Sequence, residues 1–434
     1  MTVIGIDDTD SRELGMCTTY VASELATSLE QVGTVERVLL VRLNPAVEHK
    51  TRGNAALAVH CDVGPDRAFA LAESTLDLAA TDDDRTNPGL VVADCDPDDV
   101  RPEVATFARK AVRDYCDPTE ARKQCQKAGF ETATRGTGRG LVGALAAVGA
   151  WRAFEGWTYE CISYRERDRW GTDREVDLDS VFAAAEWGYP TVWDTVDRVE
   201  GVAVCVPRTP CPILHGIRGD DSDAVCAVAD RIEGEPVDSR RLFVTNQGTD
   251  VHLRDATLTD VEDGYAYRVD AVVTGPPETR EGGHVFLELG TVDGDERVGR
   301  DGGRDGDHTL RAAAFEPTKR FRDRVRALRV GDHVTACGEV RSGTLKLEKF
   351  AVRDLVETEP ATPTCPECGR SMKSAGRNAG YRCRDCETAA EGKVERPLDR
   401  DIETGWYEVP PCARRHIAKP LVRGGFDAPT HPER

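Results

Sequence analysis

Residues 3–26 read VIGIDDTDSRELGMCTTYVASELA. The apolar run VIGI leads into Asp7, Asp8 and Asp10, and a polar loop follows. Thr18 and Thr19 then open the stretch TTYVASELATSLEQ, whose apolar positions recur at helical spacing. Strand, loop and helix in this order open an α/β unit. Strands are expected next over VERVLLVRLN and AALAVHCDV, a helix over PDRAFALAESTLDLA, a strand over GLVVADCD, and helices through residues 101–128. Together they predict an α/β domain over residues 1–130, an ordinary size for one core.

A second unit, expected over 131–248, opens with GTGRGLVGALAAVG, a Gly-rich turn into a small-residue helix. Strands over YECISYR, VAVCVPRT and LFVTN and a helix over DSDAVCAVADRI complete an α+β sandwich of ferredoxin-like type. Over 249–358 the rhythm changes to short strands: YRVDAVVTG, HVFLELG, LRAAAF, DHVTACGEV and TLKLEKFAVRDL. That density predicts an OB-type barrel. The Gly/Asp run TVDGDERVGRDGGRDGDHT (291–309) reads as a solvated insertion loop. ETEPATPT reads as a linker into residues 359–434, a cysteine-rich module with a basic tail. The expected fold class is α+β multidomain, and 434 residues leave room for about three domains or more.

The formal net charge of -20 argues at first against a nucleic-acid partner. Yet arginine far outnumbers lysine, and acids are spread over nearly every polar segment. This is the composition of a protein kept soluble in high salt by its net charge. Local arginine clusters then say more about partners than the total does. Most of the 15 cysteines stand singly in apolar stretches, as Cys61, Cys161, Cys205 and Cys337 do, which points to a reducing compartment. The N-terminus lacks the pattern of a signal peptide, and LVGALAAVGAW is too short to span a bilayer. A soluble, cytoplasmic protein is expected.

Cys365-x2-Cys368 and Cys383-x2-Cys386 have the spacing of a zinc ribbon, in which four thiolates close a tetrahedral Zn2+ site. CARRHIAKPLVR gathers Arg414, Arg415, His416, Lys419 and Arg423, and TKRFRDRVRALR is a second basic run. A solvated charged face accounts for either alone; beside an OB barrel and a zinc ribbon, phosphate contact becomes the stronger reading. The opening stretch has the same ambiguity. Turn chemistry accounts for the aspartates, and a helix cap accounts for Thr18. Together they place hard oxygen donors at a strand's C-terminal end and a hydroxyl at a helix N-terminus, where Mg2+ and the phosphates of a nucleotide would meet. No Walker GxxxxGK(S/T) motif occurs, which argues against a P-loop NTPase. RLNPAVEHKTRGNAA adds Arg42, Lys50 and Arg52, flanked by Asn44 and Asn54, as a possible phosphate clamp. TRGTGRGLVG adds Arg135 and Arg139 at a helix start.

GIDDTDS, GMCTTY, RLNP…KTRGNAA, TNPG, GTGRGLVGA, HGIRG, TNQGTD, the four paired cysteines and RRHIAKPL run through the whole chain in order. In these stretches the sequence resembles the archaeal isoleucine-tRNA 2-agmatinylcytidine synthetase family. The resemblance implies a kinase-like first domain, a ferredoxin-like domain, an OB fold and a zinc ribbon. It implies ATP-dependent ligation of agmatine to the 2-position of the wobble cytidine in the CAU anticodon of an isoleucine tRNA, so that AUA is read as isoleucine. It further implies Asp7, Asp8 and Asp10 as Mg2+ ligands and Thr18 as a residue phosphorylated during the cycle. The cationic and amide side chains Arg42, Asn44, Lys50, Arg52, Asn54 and Arg139 are then expected around the nucleotide. ATP, Mg2+ and Zn2+ would be the cofactors, with agmatine and the tRNA as partners. Two other classes stay open: a non-catalytic OB-fold and zinc-ribbon RNA-binding protein, and an ATP-dependent kinase with another substrate.

Overall fold

The computed structural model describes residues 1–13, 15–47, 53–292, 308–377, 379–415 and 418–434. The chain begins with β1 (Thr2–Asp7), α1 (Thr18–Glu30), β2 (Val35–Arg42), β3 (Ala55–Cys61), α2 (Pro65–Thr75) and β4 (Gly89–Asp94). Then come α3 (Pro102–Arg113), α4 (Pro118–Ala128), β5 (Glu131–Thr134), α5 (Leu141–Ala153), β6 (Thr158–Arg165) and α6 (Leu178–Gly188). After the short strands β7 (Val192–Trp193), β8 (Val196–Asp197) and β9 (Val202–Ala203) follow β10 (Ile213–Gly219), α7 (Ser222–Ala229) and β11 (Val237–Thr245). Nine of these strands form one sheet in the order β5-β4-β1-β3-β2-β11-β6-β10-β7. Residues on both sides of the expected boundary at 130 therefore share a sheet, and β5 pairs with β4. The two halves meet where β11 lies parallel to β2, with Val244 beside Leu39 and Thr245 beside Leu40.

Period-two alternation assigns the faces of β1. Val3 packs with α3, α4 and α5, whereas Ile4 and Ile6 pack with α1 and α2. Gly5 admits the backbone of α5: a Cβ there would stand 2.0 Å from the Ala144 carbonyl oxygen. The small-residue helix thus lies directly on the strand that carries the aspartates.

The barrel closes through β13 (Ala266–Thr279), β14 (Val285–Gly290), β15 (Thr309–Ala314), β17 (Thr344–Asp354) and β16 (His333–Arg341). All five expected strands are present. The helix α8 (Phe321–Arg326) plugs one end with buried Phe321 and Val325, and β12 (Leu253–Asp255) runs parallel to the start of β13. Beyond it, β18 (Thr358–Ala361) pairs with β22 (Val394–Pro397), so the segment expected to be a linker is half of a ribbon. Between them β19 (Lys373–Ser374), β20 (Tyr381–Arg382) and β21 (Ala389–Ala390) carry the cysteine module. The chain returns to the barrel edge as β23 (Gly405–Glu408), paired with β17, and ends in β24 (Thr430–His431).

One expected strand needs correction. VAVCVPRT is strand only at Val202–Ala203, because Pro207, Pro210 and Pro212 cannot donate to a ladder. HGIRG, for which no element was expected, is most of β10 and sits inside the sheet. Most of the expected insertion loop, residues 293–307, lies outside the described residues. No helix among the described residues is long and apolar enough to cross a membrane.

Gly5→Ala should destabilise the protein by about 1–3 kcal/mol through overpacking. The surface control Gly392→Ala, where a Cβ meets nothing within 4 Å, should stay within about 0.5 kcal/mol. Guanidinium unfolding in concentrated KCl measures both.

Candidate functional site

A cavity of about 330 Å3 opens between the C-terminal end of β1 and the N-terminus of α1. Asp7, Asp8, Asp10 and Thr18 line it, with Arg42, Asn54 and Arg139. Asp7 ends β1, and its carboxylate lies against Gly143 of α5, where a Cβ would stand 1.9 Å from Oδ2. Burial, and then the charges of Asp8 and Asp10, push Asp7 well above the usual carboxylate range. Asp8 adopts a left-handed conformation, φ 59°. Burial raises it to about 6 against the pull of Arg139. Arg139 donates to Asp8 Oδ2 at 3.1 Å and to the Arg85 carbonyl at 2.6 Å. The aspartate loop is tied down from behind. Thr86 Oγ1 donates to the Asp10 carbonyl at 2.8 Å, and Ser11 Oγ to Asp83 at 2.7 Å. Asn87 Oδ1, from the TNPG stretch, accepts from Thr137 N at 2.8 Å and so fixes the Gly-rich turn before α5.

Thr18 does not cap the helix. Cys17 is the N-cap and caps without its side chain, and Thr18 is the first helical residue. Its hydroxyl is therefore not committed to the helix end.

More of the lining comes from the seam and from the second half of the sheet. Arg42 at the end of β2 is mostly buried, which lowers its guanidinium to about 10 despite the nearby Glu160. Glu160 of β6 and Arg218 of β10 line the same cavity, with Arg218 Nε 3.2 Å from Glu160 Oε1. Neither was anticipated from the sequence, and the only local signal was Arg218 within HGIRG. Asn54 lines the cavity, while Asn44 lies buried behind it: its Oδ1 accepts from Ala46 N at 2.9 Å, and its carbonyl accepts from Asn54 Nδ2 at 2.6 Å. Arg135 stands apart, 4.0 Å from Glu73. Lys50 and Arg52 lie outside the described residues.

The basic tail is held by acids. Arg414 is buried 2.9 Å from both Asp194 and Glu408, and burial raises Glu408 to about 7 against that partner. Glu339 and Glu348 hold Arg415, and Arg423 meets Asp220 at 2.6 Å. The backbone N–H of Lys419 donates to Asp250 at 2.6 Å, and its ammonium lies 5.0 Å from the Phe426 ring. His416 lies outside the described residues. In the other basic run, Arg320 spans from the barrel to Asp197 at 3.1 Å.

Cys365, Cys368, Cys383 and Cys386 bring their sulfurs within 4.8 Å of one another. They are the one such group of possible metal ligands among the described residues, so the three aspartates do not converge in this way. Four thiols on two knuckles fit a structural Zn2+, which they would hold as thiolates. Purified protein should carry one zinc ion per chain by elemental analysis. Cys383→Ser should lose it and open residues 362–402 to protease, with the barrel and sheet still folded.

Three domain models match the chain: the TiaS TCKD domain over residues 3–73, the TiaS FLD domain over 138–252 and the TiaS C-terminal zinc ribbon domain over 362–402. The chain is 53% identical to the isoleucine-tRNA 2-agmatinylcytidine synthetase TiaS of Haloquadratum walsbyi, with 100% of both chains covered. It is 43% identical to that of Methanosarcina acetivorans, with 97% of each covered. It superposes on the crystal structure of a TiaS complex with its isoleucine tRNA and ATP with a TM-score of 0.86 at 39% identity, over 100% of this chain and 99% of that one. On the TiaS complex with the same tRNA, AMPCPP and agmatine the TM-score is 0.84 at 38% identity, again over 100% and 99%. The acid-rich α/β cavity, the closed barrel and the four-cysteine ribbon thus lie in a chain matched along its full length, and that chain belongs to the TiaS family of isoleucine-tRNA 2-agmatinylcytidine synthetases.

Proposed function

We propose that this chain ligates agmatine to C2 of the wobble cytidine in the CAU anticodon of the minor isoleucine tRNA, at the expense of ATP. The observation that carries the reading is one cavity lined by Asp7, Asp8, Asp10, Thr18, Arg42 and Arg139, in a chain whose relatives carry this name throughout their length. The cytosine 2-oxygen is a poor leaving group. Phosphorylating it makes a good one. The primary amine of agmatine then attacks C2, the C–O bond breaks, phosphate departs, and the amine gives up a proton. The product, 2-agmatinylcytidine, pairs with A, so the tRNA reads AUA.

The residues divide this work. Buried carboxylates held high by burial and mutual repulsion favour a divalent cation, and Mg2+ takes one or two carboxylates and fills its shell with phosphate oxygens. Asp7 and Asp8, with Asp10 nearby, would hold it, and bound there it would supply charge neutralisation to the polyphosphate. Arg42 and Arg139 stabilise charge on the phosphoryl group in transfer, with Asn54 as a polar contact. Lys50 and Arg52 are assigned to the same task from the sequence, and Asn44 supports the loop. Thr18 accepts a phosphoryl group from ATP during the cycle: its hydroxyl loses a proton and bonds to phosphorus as the bond to the departing nucleotide breaks, at the N-terminus of a helix where anions are stabilised. We read the first unit as kinase-like, the second as ferredoxin-like and the barrel as an OB fold.

For tRNA, stacking and edge contacts suit unpaired anticodon bases. The barrel offers Phe286 and Phe315, ringed by Arg280 and Arg311 near Phe286 and Lys346 near Phe315. In the tail, Arg415, His416 and Lys419 are assigned to RNA contact. Arg414 and Arg423 hold the segment in place. A tRNA substrate puts the reaction in the cytoplasm.

The test is incorporation of labelled agmatine into the unmodified minor isoleucine tRNA at high KCl with ATP and Mg2+. Wild type should incorporate, and Asp7→Asn should lose at least about a hundredfold, as losing a key electrostatic group does. Tight tRNA binding without incorporation would favour the RNA-binding reading. ATP turnover without agmatine dependence would favour a kinase with another substrate.

A further inference from the structure

We propose that Glu160 and Gln247 are positioning residues that hold Arg42 and Arg218 as a paired guanidinium clamp for the phosphoryl group in transfer. This rests on the ligase reading above and gives a task to two motifs, HGIRG and TNQGTD, that it leaves without one.

The network is built from four separate strands and loops. Glu160 points from β6 and is 5% exposed at its side chain, whereas Arg42 and Arg218 are 13% and 16% exposed. The carboxylate stands behind and the cations in front. Arg218 Nε donates to Glu160 Oε1 at 3.2 Å, and Arg42 Nη2 lies 4.0 Å from Oε2. Gln247, itself 1% exposed, bridges them. Its Nε2 donates to Glu160 Oε2, and its Oε1 accepts from Arg42 Nε at 3.0 Å. The amide satisfies both neighbours, because the carboxylate accepts and the guanidinium donates. A glutamate at this position would face Glu160 with a second negative charge.

The backbone of Arg42 is clamped as well. Asn246 Oδ1 accepts from Arg42 N at 2.7 Å, and Asn246 Nδ2 donates to the Arg42 carbonyl at 3.0 Å. This continues the parallel β2–β11 ladder by one side chain. Gly216 on β10 leaves room for the carboxylate, since a Cβ there would stand 2.8 Å from Glu160 Oε1.

Two guanidiniums against one carboxylate leave a net positive charge in the cavity that Asp7, Asp8 and Asp10 also line. A phosphoryl group held there would present oxygens to the arginines, and the aspartates would hold its divalent cation. Guanidinium forks match phosphate oxygens in pairs, but only when their orientation is fixed. Fixing it is the work of Glu160 and Gln247. Glu160 is thereby assigned away from the cationic substrate, agmatine, whose guanidinium it would otherwise attract.

The full-length, zinc-loaded chain is assayed with saturating isoleucine tRNA, varying ATP and agmatine in turn. Glu160→Gln, Gln247→Met and Arg218→Lys should each lower kcat/KM for ATP at least tenfold. The agmatine KM, the tRNA Kd and the unfolding midpoint should stay within twofold, twofold and a few degrees of wild type. Binding of Mg2+ tripolyphosphate, measured by calorimetry, should weaken about tenfold in the same variants, and this readout stands even if wild type fails to ligate agmatine. If Glu160→Gln misfolds, Arg218→Lys and Gln247→Met decide. A selective rise in the agmatine KM with ATP parameters unchanged would overturn the proposal and make Glu160 an agmatine ligand. Unchanged tripolyphosphate affinity in folded variants would overturn it as well.

Discussion

Val244 and Thr245 lie in parallel register with Leu39 and Leu40, and this short ladder is the seam between the two halves of the nine-stranded sheet. What the cavity contains follows from it. One side brings Asp7, Asp8, Asp10 and Thr18 from β1 and α1; the other brings Glu160 and Arg218 from β6 and β10. Arg42 stands at the seam itself, at the end of β2, and the residues that follow β11 reach back to hold it. The site is thus a property of the joined sheet and belongs to neither half alone.

The seam also sets the electrostatics. Glycines let α5 descend onto β1 and bury Asp7, where a carboxylate without a nearby cation is costly. Arg139 neutralises Asp8 in part. In the proposed reading, the remaining negative charge would be met by a cation arriving with a polyphosphate. Around Glu160 the balance is reversed, with two guanidiniums on one carboxylate. In the same reading, a site polarised in this way would orient a metal-bound phosphate chain before any chemistry begins, the electrostatic preorganisation that phosphoryl transfer requires.

The parts legible in the sequence were those encoded by local spacing. The strand–loop–helix of residues 3–26, the five barrel strands and the paired cysteines each announce themselves within one short window. Glu160, Arg218 and Gln247 did not, because their meaning lies in register across the sheet. Gln247 and Arg42 are 205 residues apart in the chain, and Gln247 and Glu160 are 87 apart. The tail shows the same limit. Arg414, Arg415 and Arg423 read as a basic run, and their acidic partners at 194, 408, 339, 348 and 220 come from other strands and turns, out of reach of a local reading. VAVCVPRT had the apolar content of a strand, yet Pro207 within it, and Pro210 and Pro212 just after it, leave it as cavity wall at Val204, Cys205 and Pro207.

The central claim is that phosphate chemistry takes place where β1 meets α1. Its most direct measurement is peptide mapping by mass spectrometry of the protein after incubation with ATP, Mg2+ and the unmodified minor isoleucine tRNA, with agmatine withheld. The account predicts a phosphate on Thr18 in wild type and none in Asp7→Asn. An unmodified Thr18 in protein that has nonetheless phosphorylated the tRNA would contradict it.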